Sequence, residues 1–224
     1  MAKHLQNELE RLKKDLLKIA AMAESVTEKA LVALTEREAG LAQEVIDNDY
    51  LINDAEVRIE EECLKIMALY QPVAADLRFV VTALKVNNDI ERVGDLAVNI
   101  AERALYLARR EALAFSADFP AMIDDVKFMF SRSIDALTSR DTVLARRIIA
   151  MDDRVDDANY KIYKKIRRVM SQYPDTIKRA LHLLSSTRHL ERIADLATNI
   201  CEDVVYMVEG EVIRHQPAIY MDEE

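Results

Sequence analysis

A fourteen-residue segment occurs twice in this chain, one hundred positions apart, and that duplication limits the fold more than any other feature. Asp89-Ile90-Glu91-Arg92-Val93-Gly94-Asp95-Leu96-Ala97-Val98-Asn99-Ile100-Ala101-Glu102 aligns with His189-Leu190-Glu191-Arg192-Ile193-Ala194-Asp195-Leu196-Ala197-Thr198-Asn199-Ile200-Cys201-Glu202. Eight of the fourteen positions are identical, and most of the retained residues are polar. A spacing this long is the length of a domain, not of a solenoid repeat, so the 224 residues divide into two copies of one unit. Each copy is large enough for a modest core of its own.

Three glycines and four prolines leave little material for turns, while Ala, Leu, Glu, Lys and Arg dominate, as in long helices. The punctuation residues mark the ends. One periodic run, from Leu5 to Glu38, stops before Gly40; a second, from Leu41 to Tyr70, stops before Pro72; a third extends from Val73 to Arg110. The pattern breaks at Phe115-Ser116-Ala117-Asp118-Phe119-Pro120, where Asp118 suits an N-cap and Pro120 a first turn. A fourth run ends near Ser139 and Asp141 caps the fifth. Tyr173-Pro174 separates the fifth from the sixth, which closes on Gly210 as a C-terminal cap. Apolar stripes at Ile90, Val93, Ala97, Ile100, Ala104 and at Leu190, Ile193, Ala197, Ile200, Val204 recur every three or four residues. The expected fold is all-α: six helices forming two tandem antiparallel three-helix bundles, residues 1–112 and 117–212, followed by a tail, residues 213–224.

A net charge of −9 argues against a general nucleic-acid binder, which needs a basic surface. Cys63 and Cys201 stand alone on helical stretches and read as small core hydrophobes of a reducing compartment. The N-terminus has no apolar signal region and no stretch approaches the ~20 apolar residues of a membrane span. A cytoplasmic protein is expected, free to dock on a membrane complex. His4, His182 and His215 are scattered and read as surface or boundary residues.

On a helix, Glu91, Asp95, Asn99 and Glu102 fall within about 80° of one another, opposite the apolar stripe. Glu191, Asp195, Asn199 and Glu202 form the twin row. A solvated face needs only hydrophilicity, so Glu, Lys, Gln and Asp should interchange between copies; here identity is retained. Glu91 and Asp95 are moreover like charges at i, i+4, which weakens a helix. Hairpin geometry supplies partners. Asp49 lies 22 residues before the turn at Gln71, and the midpoint of Glu91 and Asp95 lies 22 after it. Asp152 lies 21 before Tyr173, and the midpoint of Glu191 and Asp195 lies 21 after it. Antiparallel packing brings each aspartate level with its pair. Converging carboxylates repel unless a cation or protons intervene. An all-oxygen set of Asp, Glu and Asn, extended by Asn99 and Asn199, suits a hard cation of the Mg, Mn or iron class.

The Glu91-Arg92-Val93-Gly94-Asp95 and Glu191-Arg192-Ile193-Ala194-Asp195 runs resemble the paired E-R-I-G-D segments of the PhoU family. Gln71-Pro72-Val73-Ala74-Ala75-Asp76-Leu77-Arg78 resembles that family's Q-P-x-A-x-D-L-R entry to its third helix, and Val205-Tyr206-Met207-Val208-Glu209-Gly210-Glu211 its C-terminal run. The resemblance implies two tandem three-helix bundles that bind metal ions, in some members multinuclear iron, with Glu91, Asp95, Glu191 and Asp195 as ligands. It implies a negative regulator of the phosphate-starvation response, bridging the ATPase of a phosphate ABC transporter and a membrane sensor histidine kinase. Asp49 and Asp152 join the ligand set from the hairpin geometry alone. Ala194 replaces Gly94 with little expected consequence, and His189 stands where Asp89 does, which leaves room for the two sites to differ. Arg92 and Arg192 read as partners of the neighbouring carboxylates, since no glycine-rich phosphate cradle is present. Two other functions compete: a helical scaffold without metal, and a carboxylate-bridged iron enzyme. The enzyme expects Glu-x-x-His pairs, and the sequence has none. Apolar residues beyond the two cores would favour a homodimer.

Overall fold

The computed structural model describes residues 2–113 and 118–214, and all regular structure in them is helical. The first bundle holds α1 (Ala2–Glu36), α2 (Ala39–Asp47), α3 (Tyr50–Tyr70) and α4 (Ala74–Ala108). The second holds α5 (Asp118–Ser139), α6 (Thr142–Ile149), α7 (Asp152–Gln172) and, after a 3-10 turn at Pro174–Thr176, α8 (Ile177–Glu209). The tail beyond residue 214, the Phe115–Ala117 break and the side chain of Asp118 lie outside the described residues.

The second and fifth helices expected as continuous are each broken in two, at Asn48-Asp49 and at Ala150-Met151. At the first break the Asn48 amide donates to the Glu44 carbonyl at 2.7 Å, competing with the helical ladder it would otherwise extend. Both breaks fall beside the aspartates of the carboxylate rows. Asp152 opens the first turn of α7 and Asp49 immediately precedes α3, positions where the helix dipole favours negative charge.

Gly40 is not the turn residue; it lies inside α2. The turn is made by Arg37, at φ 64°, and its counterpart in the second copy is Arg140, at φ 57°. In each, the next residue donates back across the helix end, Glu38 N to the Ala33 carbonyl at 3.1 Å and Asp141 N to the Ala136 carbonyl at 3.0 Å. An arginine accepts this backbone because its side chain is put to use: the Arg37 guanidinium donates to the carbonyls of Leu107, Ala108 and Arg110 at the end of α4. Asp141 caps α6 as expected, accepting from Leu144 N at 2.9 Å. Gly210 closes α8 at φ 80°, its N–H donating to the Tyr206 carbonyl.

One continuous core runs through both bundles, with the two expected apolar stripes and both cysteines buried in it. The bundles join along α4 and α8. Arg78 Nε donates to the Met207 carbonyl at 3.1 Å, Lys85 meets Asp203 at 3.3 Å, Arg103 Nε donates to Ser185 Oγ at 3.4 Å, and Tyr106 stacks on His182 at 3.6 Å. The helices are therefore antiparallel. His182, expected at a boundary or surface, lies half-buried in this seam.

Candidate metal centres at the two helix breaks

The level pairing counted from the hairpin turns is present in the structure. Asp49, at the head of α3, is close enough to Glu91 and Asp95 of α4 to raise the pKa of both. For Glu91 burial is the larger cause, followed by Asp95, Glu56 and Asp49, with Arg92 opposing; for Asp95 it is burial and then Asp49, again opposed by Arg92. In the second bundle the Asp152 carboxyl is pushed up to about 6 by burial first, then by Asp195, Asp156, Asp153 and Glu191. Glu191 and Asp195 are raised as well, burial leading and Asp156 contributing to each. Neither row faces open water alone: Glu91 and Glu191 are half-buried under the partner helices, while Asp95 and Asp195 remain exposed.

Four residues of these clusters were not foreseen. Counting four and seven positions on from Asp49 gives Asn53 and Glu56; the same steps from Asp152 give Asp156 and Asn159. Asn53 Nδ2 donates to Asp49 Oδ2 at 3.0 Å, and Asn159 Nδ2 donates to Glu191 Oε2 at 2.7 Å. The clusters thus share four carboxylates and one amide, with Asp153 a fifth carboxylate beside the second, and the amide and one carboxylate exchange places along the partner helix. The signal was available as an i, i+4, i+7 polar row on α3 and α7.

The two asparagines of the rows are placed differently. Asn99 Nδ2 donates to the Asp95 carbonyl of its own helix at 2.8 Å. Asn199 lines a cavity shared with Asp89, Glu202 and Asp203 at the seam between bundles. His189 also turns to the seam, its Nε2 lying 3.2 Å from Ser185 Oγ. Arg92 and Arg192 act on the carboxylates through space, lowering the pKa of Asp95 and of Asp195 respectively.

The chemistry of the donors, though not their spacing, suits a hard cation. Asp49 Oδ1, Asn53 Oδ1 and Asp152 Oδ1 are buried oxygens with no hydrogen-bond partner, a state that costs about 1–3 kcal/mol each and that a coordinated ion relieves. The donors are all oxygen, which suits Mg²⁺, Mn²⁺ or iron better than a structural zinc. Asp49, Glu56, Glu91 and Asp95 are the carboxylates of one cluster, Asp152, Asp156, Glu191 and Asp195 those of the other. The carboxylates are not gathered onto a point: among the described residues no three His, Cys, Asp or Glu side chains stand in bonding reach of a single ion.

The PhoU domain model matches this chain twice, over residues 16–104 and 119–204, one match to each bundle. The phosphate-specific transport system accessory protein PhoU homolog of Aquifex aeolicus is 40% identical over 212 residues, spanning 95% of this chain and 96% of that protein. The crystal structure of PhoU from Pseudomonas aeruginosa superposes with a TM-score of 0.89 at 34% identity, covering 92% of this chain and 99% of that one. The phosphate transport system regulatory protein PhoU from Streptococcus pneumoniae gives 0.88 at 30% identity, covering 93% and 99%. A duplicated bundle, a carboxylate cluster in each copy and relatives spanning nearly the whole length lead to one assignment: the chain belongs to the PhoU family.

Proposed function

We propose that this protein is a non-enzymatic, metal-loaded regulatory adaptor of phosphate uptake. It acts as a negative regulator of the phosphate-starvation response by coupling the ATPase of a phosphate ABC transporter to a membrane sensor histidine kinase. The observation that carries the reading is the pair of equivalent clusters, each with four carboxylates, one amide and a buried aspartate oxygen lacking a partner. A scaffold without metal has no reason to keep like charges together in both copies, because their mutual repulsion weakens the fold. The printed names of the relatives, accessory and regulatory proteins of phosphate transport, support the adaptor role. Among the described residues no helix is long and apolar enough to cross a membrane, so the membrane partners would be reached by docking at its cytoplasmic face. Exposed Tyr50, Leu64, Leu69, Val143, Tyr160 and Tyr163 support a homodimer.

Metal analysis of the purified protein tests the reading. More than one hard-cation equivalent per chain is expected, with one class lost in Glu91→Ala/Asp95→Ala and the other in Glu191→Ala/Asp195→Ala. A protein that binds neither Mn²⁺ nor iron, and whose melting temperature ignores both, would overturn the metal claim. Pull-down of the transporter ATPase or the kinase, compared with an unrelated helical protein, separates adaptor from spacer.

A further inference from the structure

The helices α3 and α7 are equivalent, and the shift of 103 residues that carries Asp49 onto Asp152 also carries Arg37 onto Arg140 and Ile59 onto Ile162. Their outward faces nevertheless differ in charge. On α7, Val155, Ile162 and Ile166 are buried against the bundle. Tyr160, Lys161, Lys164, Arg167 and Arg168 lie within about 120° of one another on the opposite side, and all five are exposed. The equivalent residues of α3 are Val57, Arg58, Glu61, Leu64 and Lys65, whose charges sum to +1 against +4 on α7.

An ordinary solvated face does not account for this row. Elsewhere outward cations of the chain are answered one turn away: Lys18 by Asp15 at 2.6 Å, Lys65 by Glu62 at 3.0 Å and Arg132 by Asp135 at 2.8 Å. Among the described residues no carboxylate comes within ion-pair distance of Lys161, Lys164, Arg167 or Arg168. The nearest acidic residue along the face, Asp157, lies one turn before Lys161 and does not pair with it. The four cations are instead each other's neighbours, Lys164 standing three or four residues from Lys161, Arg167 and Arg168, spacings at which like charges weaken a helix. Nor does the helix dipole call for them, since the last turn of α7 holds no basic residue.

Aromatic side chains are set among these cations. Tyr160 is 56% and Tyr163 44% exposed, the Lys164 ammonium stands 4.1 Å from the centre of the Tyr160 ring, and Tyr173, which ends α7, is 58% exposed. We infer that this face of α7 docks directly on the anionic surface of a phospholipid bilayer. Lys and Arg are drawn to anionic headgroups, and tyrosine rings settle at headgroup level with the hydroxyl toward water. The outer side of a helix is convex, so it meets a surface and offers no groove to seat an acidic peptide. Two copies meeting α7 to α7 would oppose the same cations, which leaves a second copy to the apolar residues of α3, Tyr50, Leu64 and Leu69. The net charge of −9 repels the rest of the chain from such a surface and confines contact to this face. None of the five residues belongs to either carboxylate cluster, so the inference requires neither the metal nor the protein partners proposed above.

Co-sedimentation of the full chain with vesicles tests the surface, using phosphatidylcholine alone and equal parts phosphatidylcholine and phosphatidylglycerol in low-salt buffer. Binding is expected to the anionic vesicles only, and to weaken with added salt. Each cation near such a surface contributes about fivefold, so Lys164→Gln/Arg168→Gln is expected to weaken binding about 25-fold. Lys14→Gln/Lys18→Gln makes the same change of charge at exposed positions of α1 and is expected to leave binding nearly unchanged. Circular dichroism of each variant establishes its fold before binding is read. The chain contains no tryptophan, so Tyr160→Trp adds a single reporter to this face and Val57→Trp one to the equivalent face of α3. On anionic vesicles the emission is expected to shift to the blue in the first and to stay in place in the second. The inference is overturned if the chain ignores anionic vesicles, binds neutral ones equally, loses as much in the α1 control, or shifts at Val57 and not at Tyr160. It is also overturned if an oligoglutamate peptide binds and anionic vesicles do not, which assigns an acidic polypeptide. Dissociation of a dimer in Lys164→Gln/Arg168→Gln assigns the face to a second copy and overturns it as well.

Discussion

Replacing Asp152 by asparagine tests whether the second cluster is built against the stability of the fold. The carboxyl ionises at 3.8 in the absence of its surroundings and is pushed up to about 6 in the folded chain, by burial and then by the charges of Asp195, Asp156, Asp153 and Glu191. Folding therefore favours the protonated form. Stability is undiminished below the unfolded value, falls as pH rises through the interval from 3.8 to about 6, and stays reduced above it. The full displacement corresponds to about 3 kcal/mol, which water reaching a half-buried group reduces to about 1–2 kcal/mol. Asparagine keeps the shape, cannot ionise and donates to the carboxylates around it. In chelator-treated protein Asp152→Asn is expected to gain about 1–2 kcal/mol at pH 7.5 and almost nothing at pH 4, read from urea denaturation. Adding Mn²⁺ reverses the order: an ion at a hundred times its dissociation constant stabilises the parent by about 2.7 kcal/mol per site, and the variant loses that gain at one site. A variant less stable than the parent at pH 7.5 without metal, or a gain of equal size at both pH values, would refute the reasoning.

Gly94 lets α3 approach α4: a Cβ there would meet Ile52 Cδ1 at 2.9 Å. Gly94→Ala and Ile52→Val should therefore couple favourably by about 1 kcal/mol in a denaturation cycle, and additivity would count against this packing. The thiols of Cys63 and Cys201 are buried and pushed up to about 12 by burial first, so neither should react with a thiol reagent at pH 8 until the chain is unfolded by denaturant.

Much of the fold is readable because its determinants are local. The stripe from Ile90 to Ala104 needs only helical periodicity, and Asp141 and Gly210 act through groups within four residues of themselves. The level of Asp49 with Glu91 and Asp95 follows from counting outward from a tight turn, because two antiparallel helices rise at the same rate. The breaks were hidden for the opposite reason. Ala150 and Met151 are good helix formers, so tertiary packing and not local preference ends α6 there. The seam was hidden too. Periodicity separates a core face from a polar face, but it does not distinguish polar residues facing water from those facing another bundle. His182 stacked on Tyr106 and His189 turned toward Arg103 were read for that reason as surface or as a neighbour of the carboxylate row.

The two copies also show what each site requires. On α4 and α8 the carboxylates and the arginine between them are identical, position by position. On α3 and α7 the identities differ: Asn53 and Glu56 in one copy, Asp156 and Asn159 in the other. What persists at those positions is one amide and one carboxylate, so their summed charge is retained and not the address of each oxygen. A solvated face would hold neither quantity fixed, and a purely structural hydrogen-bond network would fix donors and acceptors at given positions. A site built to offset the charge of an ion requires the total, and tolerates an exchange of places between groups one helical turn apart. At the seam the total itself was released. Asp89 gave way to His189, Asn88 to Arg188 and Asp203 to Arg103, reversing the sign on one side while the backbone arrangement stayed the same. Duplication thus kept one kind of site in both halves and left one pair of equivalent surfaces free to become different.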